Sequence, residues 1–145
     1  MLFRSSSVDA ASEKEVTISI LSIRALDAPD YFSKADFYAR ATIDGEVLKT
    51  QPIRGASSIK PDWKLTKKVK PGEIKVKLEI LDKDLVTSDS IDINRVDKKR
   101  DLDFTVDTGS CKIGGFSSTY KCGGAITREG AEAKKAAIKF KVDVK

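Results

Sequence analysis

Closely spaced carboxylates recur twice in this chain. They lie in Leu26-Asp27-Ala28-Pro29-Asp30-Tyr31-Phe32-Ser33-Lys34-Ala35-Asp36 and in Asp82-Lys83-Asp84-Leu85-Val86-Thr87-Ser88-Asp89. Each stretch follows an apolar, β-branched run with strand character, so each belongs at a strand end. Carboxylates crowded at a loop tip repel one another, and a hard divalent cation relieves that repulsion by coordinating their oxygens. Calcium takes about six to eight oxygen ligands in flexible geometry, which loops can supply. Aspartate is also an ordinary turn residue, because its side chain bonds nearby backbone amides, and either stretch alone reads that way. Together, with apolar residues at both tips, they point to calcium.

Other site chemistries are excluded by composition. The chain contains no histidine, which removes Ser-His-Asp and Cys-His catalysis, His-ligated zinc and the usual neutral-pH proton shuttle. Two cysteines, Cys111 and Cys122, are too few for a thiolate zinc site. A hairpin centred near Phe116-Ser117 would set them opposite each other. That is a cross-strand disulfide in a secreted protein and a pair of free thiols in the cytosol. Both remain open at this point.

The formal charge of the 145 residues is +5. If Asp30, Asp36, Asp82, Asp84 and Asp89 share one end, that end is acidic and the rest carries a formal +10. Metal would largely cancel the acidic end and leave a surface that favours anionic partners. The size suits one domain with a real core. No apolar run approaches the length of a membrane span. Residues 1–14 are polar and Ser-rich, without a continuous apolar segment after Arg4, and read as a flexible tail rather than a signal peptide. Residues 15–145 read as the folded domain.

The elements that must position the aspartates are strands. Val16 to Ile23 and Phe37 to Ile43 alternate as half-buried strands do, and Asp44-Gly45 turns the second into Glu46 to Ile53. Trp63, Leu65 and Val69 share one face, and Pro71-Gly72 marks a turn. Ile74, Val76, Leu78 and Ile80 then alternate with Lys75, Lys77 and Glu79. Ile91 to Asn94 reads as a short strand, Leu102 to Val106 as another and Ala137 to Val144 as the last. Glu129 to Ala137 holds a short run of helix formers that reads as helix or loop. About eight strands at regular spacing predict an all-β, antiparallel two-sheet sandwich.

On these residues the chain resembles C2 domains, calcium-dependent phospholipid-binding sandwiches. Leu26 through Arg40 is similar to their first calcium loop, which reads Leu-x-x-x-Asp-x-x-Gly-x-Ser-Asp-Pro-Tyr. Ile59-Lys60-Pro61-Asp62-Trp63 resembles their Asn-Pro-x-Trp segment, and Leu78 through Asp84 the strand that ends in their Asp-x-Asp loop. The likeness runs over roughly Glu15 to Asn94 and implies an eight-stranded C2-like fold. It implies Asp30, Asp36, Asp82 and Asp84 as calcium ligands. Asp89 would be the fifth, one residue earlier than the family spacing, which falls on Ser90. Asp27 is then a loop or cap residue. Ser33, Ala35 and Phe37 replace the family's Gly, Ser and Pro, and the chain after Asn94 departs from the pattern.

Tyr31 and Phe32 in the first loop, with Leu85 and Val86 in the second, are the candidates for shallow insertion into a bilayer. The resemblance favours Tyr31 and Val86, and the alternative is a side chain folded back on the sandwich edge. Lys64, Lys68, Lys70, Lys75 and Lys77 are expected on the solvent face of two adjacent strands. There they either hold anionic lipid or simply keep the surface solvated and guard strand edges. Composition argues against nucleic acid as a partner, since the few aromatics do not interleave with the basic residues. The carboxylates have metal spacing rather than a paired acid/base arrangement, so the expectation is a non-enzymatic module. Its partner would be an anionic phospholipid surface. The alternative is an extracellular calcium-binding scaffold with a protein, polymer or mineral partner. The expected location is correspondingly peripheral membrane and cytoplasmic, or secreted.

Overall fold

The structure is a computed structural model, and it describes residues 13–83 and 88–145, with Ser88 and Asp89 described by their backbone alone. One sheet is built on β1 (Lys14–Ala25). This strand pairs with β13 (Ala136–Val144) on one side and with β6 (Trp63–Val69) and β5 (Ser58–Ile59) on the other. β12 (Ile126–Glu129) closes the far edge beyond β13. The second sheet is built on β2 (Asp36–Ile43), β7 (Glu73–Lys83) and β9 (Leu102–Asp107). β3 (Glu46–Lys49) and β4 (Ile53–Arg54) pair with β2, and β8 (Ser88–Ser90) pairs with β7. β10 (Lys112–Gly114) and β11 (Tyr120–Lys121) extend it beyond β9. Every strand pairing is antiparallel.

The alternation read from the sequence sets the inner faces. Val16, Ile18 and Ile20 of β1 meet Leu65 of β6 and Phe140 of β13 in one buried layer, against Ala39, Leu78, Ile80 and Phe104 of the other sheet. Such facing apolar layers are what hold a sandwich together. β1 carries a bulge, because Ile20 pairs with Phe140 and Ser22 with Lys139. The extra residue shifts the phase, so that Ile23 rather than Ser22 returns to the core.

Three expectations are corrected by the chain's local chemistry. The run Glu46 to Ile53 breaks into two short strands, since Pro52 cannot donate to a ladder. Ile91 to Asn94 forms an isolated bridge, Asp92 to Lys135, instead of a strand. Of the two readings of the helix-former run after Glu129, the loop is the one found, because the amides of Ala131 and Glu132 are taken by the Asp92 carboxylate. A one-and-a-half-turn helix, α1 (Pro29–Lys34), fills the first Asp-rich segment. Pro at its start and Asp30 in its first turn are the local signals for it.

Pro71-Gly72 joins strands of different sheets, with β6 on β1 and β7 between β2 and β9. The expected single lysine face is therefore divided. Lys64 and Lys68 lie on the outer face of one sheet, and Lys75 and Lys77 on the outer face of the other, with Lys70 at the corner between them.

Candidate metal-binding loops

β1 delivers the first Asp-rich segment to one end of the sandwich. There the Leu26 amide bonds the Lys135 carbonyl at 3.0 Å, and Asp27 accepts a hydrogen bond from the Lys135 amide at 2.9 Å. Asp27 thus ties this loop to the segment that precedes β13. α1 turns Phe32 inward, where it is 1% exposed and packs on Phe37 with ring centroids 5.3 Å apart. The expectation that Phe32 inserts into a bilayer is corrected by this burial. Exposing it would forfeit roughly 2 kcal/mol of apolar burial. Gly55 lies directly beneath, against the Phe32 carbonyl and the Phe37 ring, where a Cβ has no room.

Asp82 sits at the end of β7 and is 6% exposed. One carboxylate oxygen accepts the Tyr31 hydroxyl at 2.9 Å, and the other accepts the Asp36 amide at 3.0 Å. Strand register explains the meeting: Phe37 pairs with Asp82 across β2 and β7, and Asp82 pairs with Asp89 across β7 and β8. Phe37, Asp82 and Asp89 therefore start from one backbone row on adjacent strands, with Asp36 one residue before that row. Asp30, on α1, and Asp36 are exposed. Asp84, Leu85 and Val86 lie outside the described residues, as does the side chain of Asp89. Among the described residues no group of at least three acidic, cysteine or histidine side chains is gathered for a metal.

The donor chemistry at this end nonetheless suits a hard cation. Each oxygen of Asp82 has a lone pair beyond the one its hydrogen bond uses, and Asp36 lies immediately beside it. Lys134 brings a positive charge to the same end, its ammonium 4.3 Å from the Tyr31 ring centroid. Tyr31 is consequently held from two sides, by Asp82 at its hydroxyl and by Lys134 over its face.

A structural carboxylate went unread in the sequence. Asp92 is fully buried and accepts three backbone N–H bonds, from Asn94 at 3.1 Å, Ala131 at 3.0 Å and Glu132 at 2.7 Å. Its position between Ile91 and Ile93, both fully buried, is the signal that could have marked it. The carboxylate anchors the loop that carries Lys134 beside α1.

Two cations on the outer face of the second sheet are already engaged. Arg40 forms a bidentate pair with Glu79 at 2.9 and 2.8 Å, which holds its guanidinium above its ordinary pKa. Lys77 lies 3.4 Å from Asp101, and that charge raises its pKa. Beyond this sheet, Cys111 and Cys122 form a disulfide with Cα atoms 5.4 Å apart, at the base of the β10–β11 hairpin.

The C2 domain family model matches residues 14–106. No curated protein sequence matches the chain. Solved structures with a similar fold include two C2 domains of extended synaptotagmin 2 (TM-score 0.59, 15% identity, 90% of this chain and 40% of that one). A C2 domain of a plant extended synaptotagmin 1 gives a TM-score of 0.57 at 10% identity, covering 90% of this chain and 93% of that one. Human GIVD cytosolic phospholipase A2 gives 0.55 at 16% identity, covering 90% of this chain. The present chain spans only 17% of that phospholipase's length. At these identities the likeness speaks to fold. The family match, the two antiparallel sheets and the loops gathered at the Asp82 end agree: the chain belongs to the C2 domain family.

Proposed function

We propose that residues 15–145 form a non-enzymatic, calcium-binding module that attaches to anionic phospholipid surfaces through the Asp-rich end. The observation that carries this reading is that Asp82 and Asp89 are cross-strand partners, with the Asp36 amide on the Asp82 carboxylate and Asp30 on the neighbouring α1. Asp30, Asp36, Asp82, Asp84 and Asp89 are the proposed ligands. Calcium, when bound, would supply charge neutralisation and a bridge to lipid phosphate. C2 domains are in general binding modules without catalysis of their own, which agrees with a chain that lacks histidine. With Phe32 in the core and Tyr31 bonded to Asp82, apolar insertion falls to Leu85 and Val86. The lysines support the reading as two separate patches, Lys64 and Lys68 on one side and Lys75 on the other, each near-surface lysine adding about 1 kcal/mol toward an anionic membrane.

A second reading is a calcium-binding scaffold whose partner is a protein, polymer or mineral surface, in an extracellular setting. The disulfide of the β10–β11 hairpin favours it, because such bonds persist in oxidising compartments. No helix among the described residues is long and apolar enough to cross a membrane. The deciding experiment is sedimentation with phosphatidylserine vesicles in calcium and in chelator, beside calorimetric titration of calcium. The first reading expects binding in the roughly micromolar-to-millimolar calcium range and sedimentation only with calcium. Calcium binding without sedimentation selects the scaffold. No calcium binding defeats both.

A further inference from the structure

The two sheets end in β11 and β12 along one side of the sandwich, and Arg128 of β12 reaches across to Tyr120 of β11. A cleft of about 510 Å³ opens there, within the range of roughly 300–1,000 Å³ that ligand sites occupy. Its walls come from residues 94–96, Lys99, Leu102 and Asp103 of β9, the turn between β10 and β11, and Arg128, with the Asp103 carboxylate held by the Lys99 ammonium at 3.2 Å.

Arg128 is fixed before any ligand arrives. Its guanidinium carbon lies 4.5 Å from the Phe116 ring centroid and 5.3 Å from that of Tyr120. It donates to the Tyr120 hydroxyl at 3.0 Å and to the Thr127 carbonyl at 2.8 Å. Phe116 in turn stacks on Phe104, with centroids 5.5 Å apart. A guanidinium carries five N–H donors, so donors remain for an anion, and its rigidity lowers the ordering cost of binding. Among the described residues no carboxylate lies within ion-pair distance of Arg128 or of exposed Arg95 at the rim. Val96, on the same rim, is 55% exposed and is one of two exposed large hydrophobics among the described residues. An unpaired fixed cation, a second cation and an exposed apolar side chain therefore line one concave surface.

We propose that this cleft recognises a short acidic peptide segment of a partner protein, with a carboxylate on Arg128 and Arg95 and an apolar side chain against Val96. A nucleobase lacks a stacking face here, since Phe116 lies against Phe104 and beneath Arg128. A planar bilayer does not follow a recess between two sheet edges. Phe116, Tyr120 and Arg128 lie outside the segment that matches the C2 model, and Arg95 and Val96 lie within it. The cleft requires no metal and stands apart from the calcium reading.

The test is selection of random twelve-residue peptides displayed on phage against the whole chain in chelator. The expected winners are enriched in Asp or Glu next to an aliphatic or aromatic residue. A synthetic consensus peptide then shifts the amide resonances of Val96, Phe116 and Arg128. The double variant Arg95→Glu, Lys99→Glu weakens that peptide by about tenfold or more, equivalent to about 1.4 kcal/mol, while its melting temperature stays near that of the unaltered chain. Neutralising the peptide's own carboxylates costs a similar factor. The proposal is overturned if acidic residues are not enriched, if the double variant binds the peptide as well, or if the shifts fall on the Lys64 and Lys68 face. It is equally overturned if phosphatidylserine vesicles in chelator bind through Arg95 and Lys99 and no peptide does.

Discussion

The Tyr31 hydroxyl donates to an Asp82 carboxylate oxygen at 2.9 Å, joining two Asp-rich segments that stand 51 residues apart. The two loops are thus already held together by the protein's own donors, with the Asp36 amide as the second. A hydrogen bond to a charged group contributes roughly 1.5–3 kcal/mol, with the lower figure suited to this half-buried site. Tyr31→Phe is expected to lose about 1.5 kcal/mol in urea unfolding with chelator present. If calcium also binds Asp82, saturating calcium makes up part of that loss. An identical loss in both conditions would detach Asp82 from the metal.

Ligand choice is tested by pairing a proposed ligand with a structural aspartate. Asp36 is exposed, whereas Asp27 commits one oxygen to the Lys135 amide. Asp36→Asn and Asp82→Asn are expected to lower calcium affinity by calorimetry more than Asp27→Asn does. They should also shrink the calcium-induced rise in melting temperature, since a ligand that binds only the folded state stabilises it by mass action. The reverse order would move the site toward Lys135.

Asp92 makes a stability prediction without reference to metal. Asp92→Ala leaves three part-buried N–H groups without this acceptor. At about 1–3 kcal/mol for each orphaned group, partly relieved by water, the loss should be about 3 kcal/mol. Asp92→Asn is a poor rescue, because its amide turns a donor toward the donors of Ala131 and Glu132. Urea unfolding of both variants checks this. A loss below about 1 kcal/mol for Asp92→Ala would mean that the loop carrying Lys134 is held by other bonds.

The parts of this fold that were legible were those written in alternation. β7 shows its inner face as Ile74, Val76, Leu78 and Ile80 without exception. Alternation tells inside from outside but not which sheet a strand joins, so the division of the lysines at Pro71-Gly72 could not be read from it. The bulge in β1 is silent for a related reason, since Leu21 and Ser22 look alike until a partner sets the register. α1 has six residues, too few for helical periodicity, and Phe32 in it read as a loop tip when it is core. At the site, the aspartates were visible as types and spacing. Their approach depends on cross-strand register, and the Tyr31 bond to Asp82 depends on α1, whose six residues show no helical period.

The turn after β9 carries a pH dependence of known sign. Asp107 accepts the amides of Gly109 at 2.8 Å and Ser110 at 3.1 Å. The Ser110 and then the Gly109 amide favour the ionised form and hold its pKa below the ordinary aspartate value. A depressed carboxyl stabilises the fold above the unfolded-state pKa of about 3.9, and the contribution fades as pH falls through the lower folded value. The stability difference between the unaltered chain and Asp107→Asn should therefore be constant near neutrality and narrow only below about pH 4. A carboxyl-carbon NMR titration of Asp107 gives the same answer directly. A midpoint at or above the ordinary value would contradict the capping geometry.

The disulfide lies at the far end of the sandwich from the candidate metal site. Asp107 pairs with Glu73 at one end of β7, and Asp82 stands near the other, roughly 30 Å away at about 3.3 Å per residue. Intact-mass measurement after alkylation without reductant should find no label on Cys111 or Cys122. Two labels on the folded chain would remove the bond and with it the argument for an oxidising compartment. Replacing both cysteines by serine opens a loop of sequence separation 11, which the chain-entropy estimate puts at roughly 2–3 kcal/mol. Because Phe116 and Tyr120 ride on that hairpin, the variant should also loosen the Arg128 stack, seen as weaker ring-current shifts at Arg128. Calcium affinity should stay as it was, since the hairpin strands pair with β9 and with each other, away from the Asp82 end. A fall in calcium affinity would show that the two ends of the sandwich are coupled.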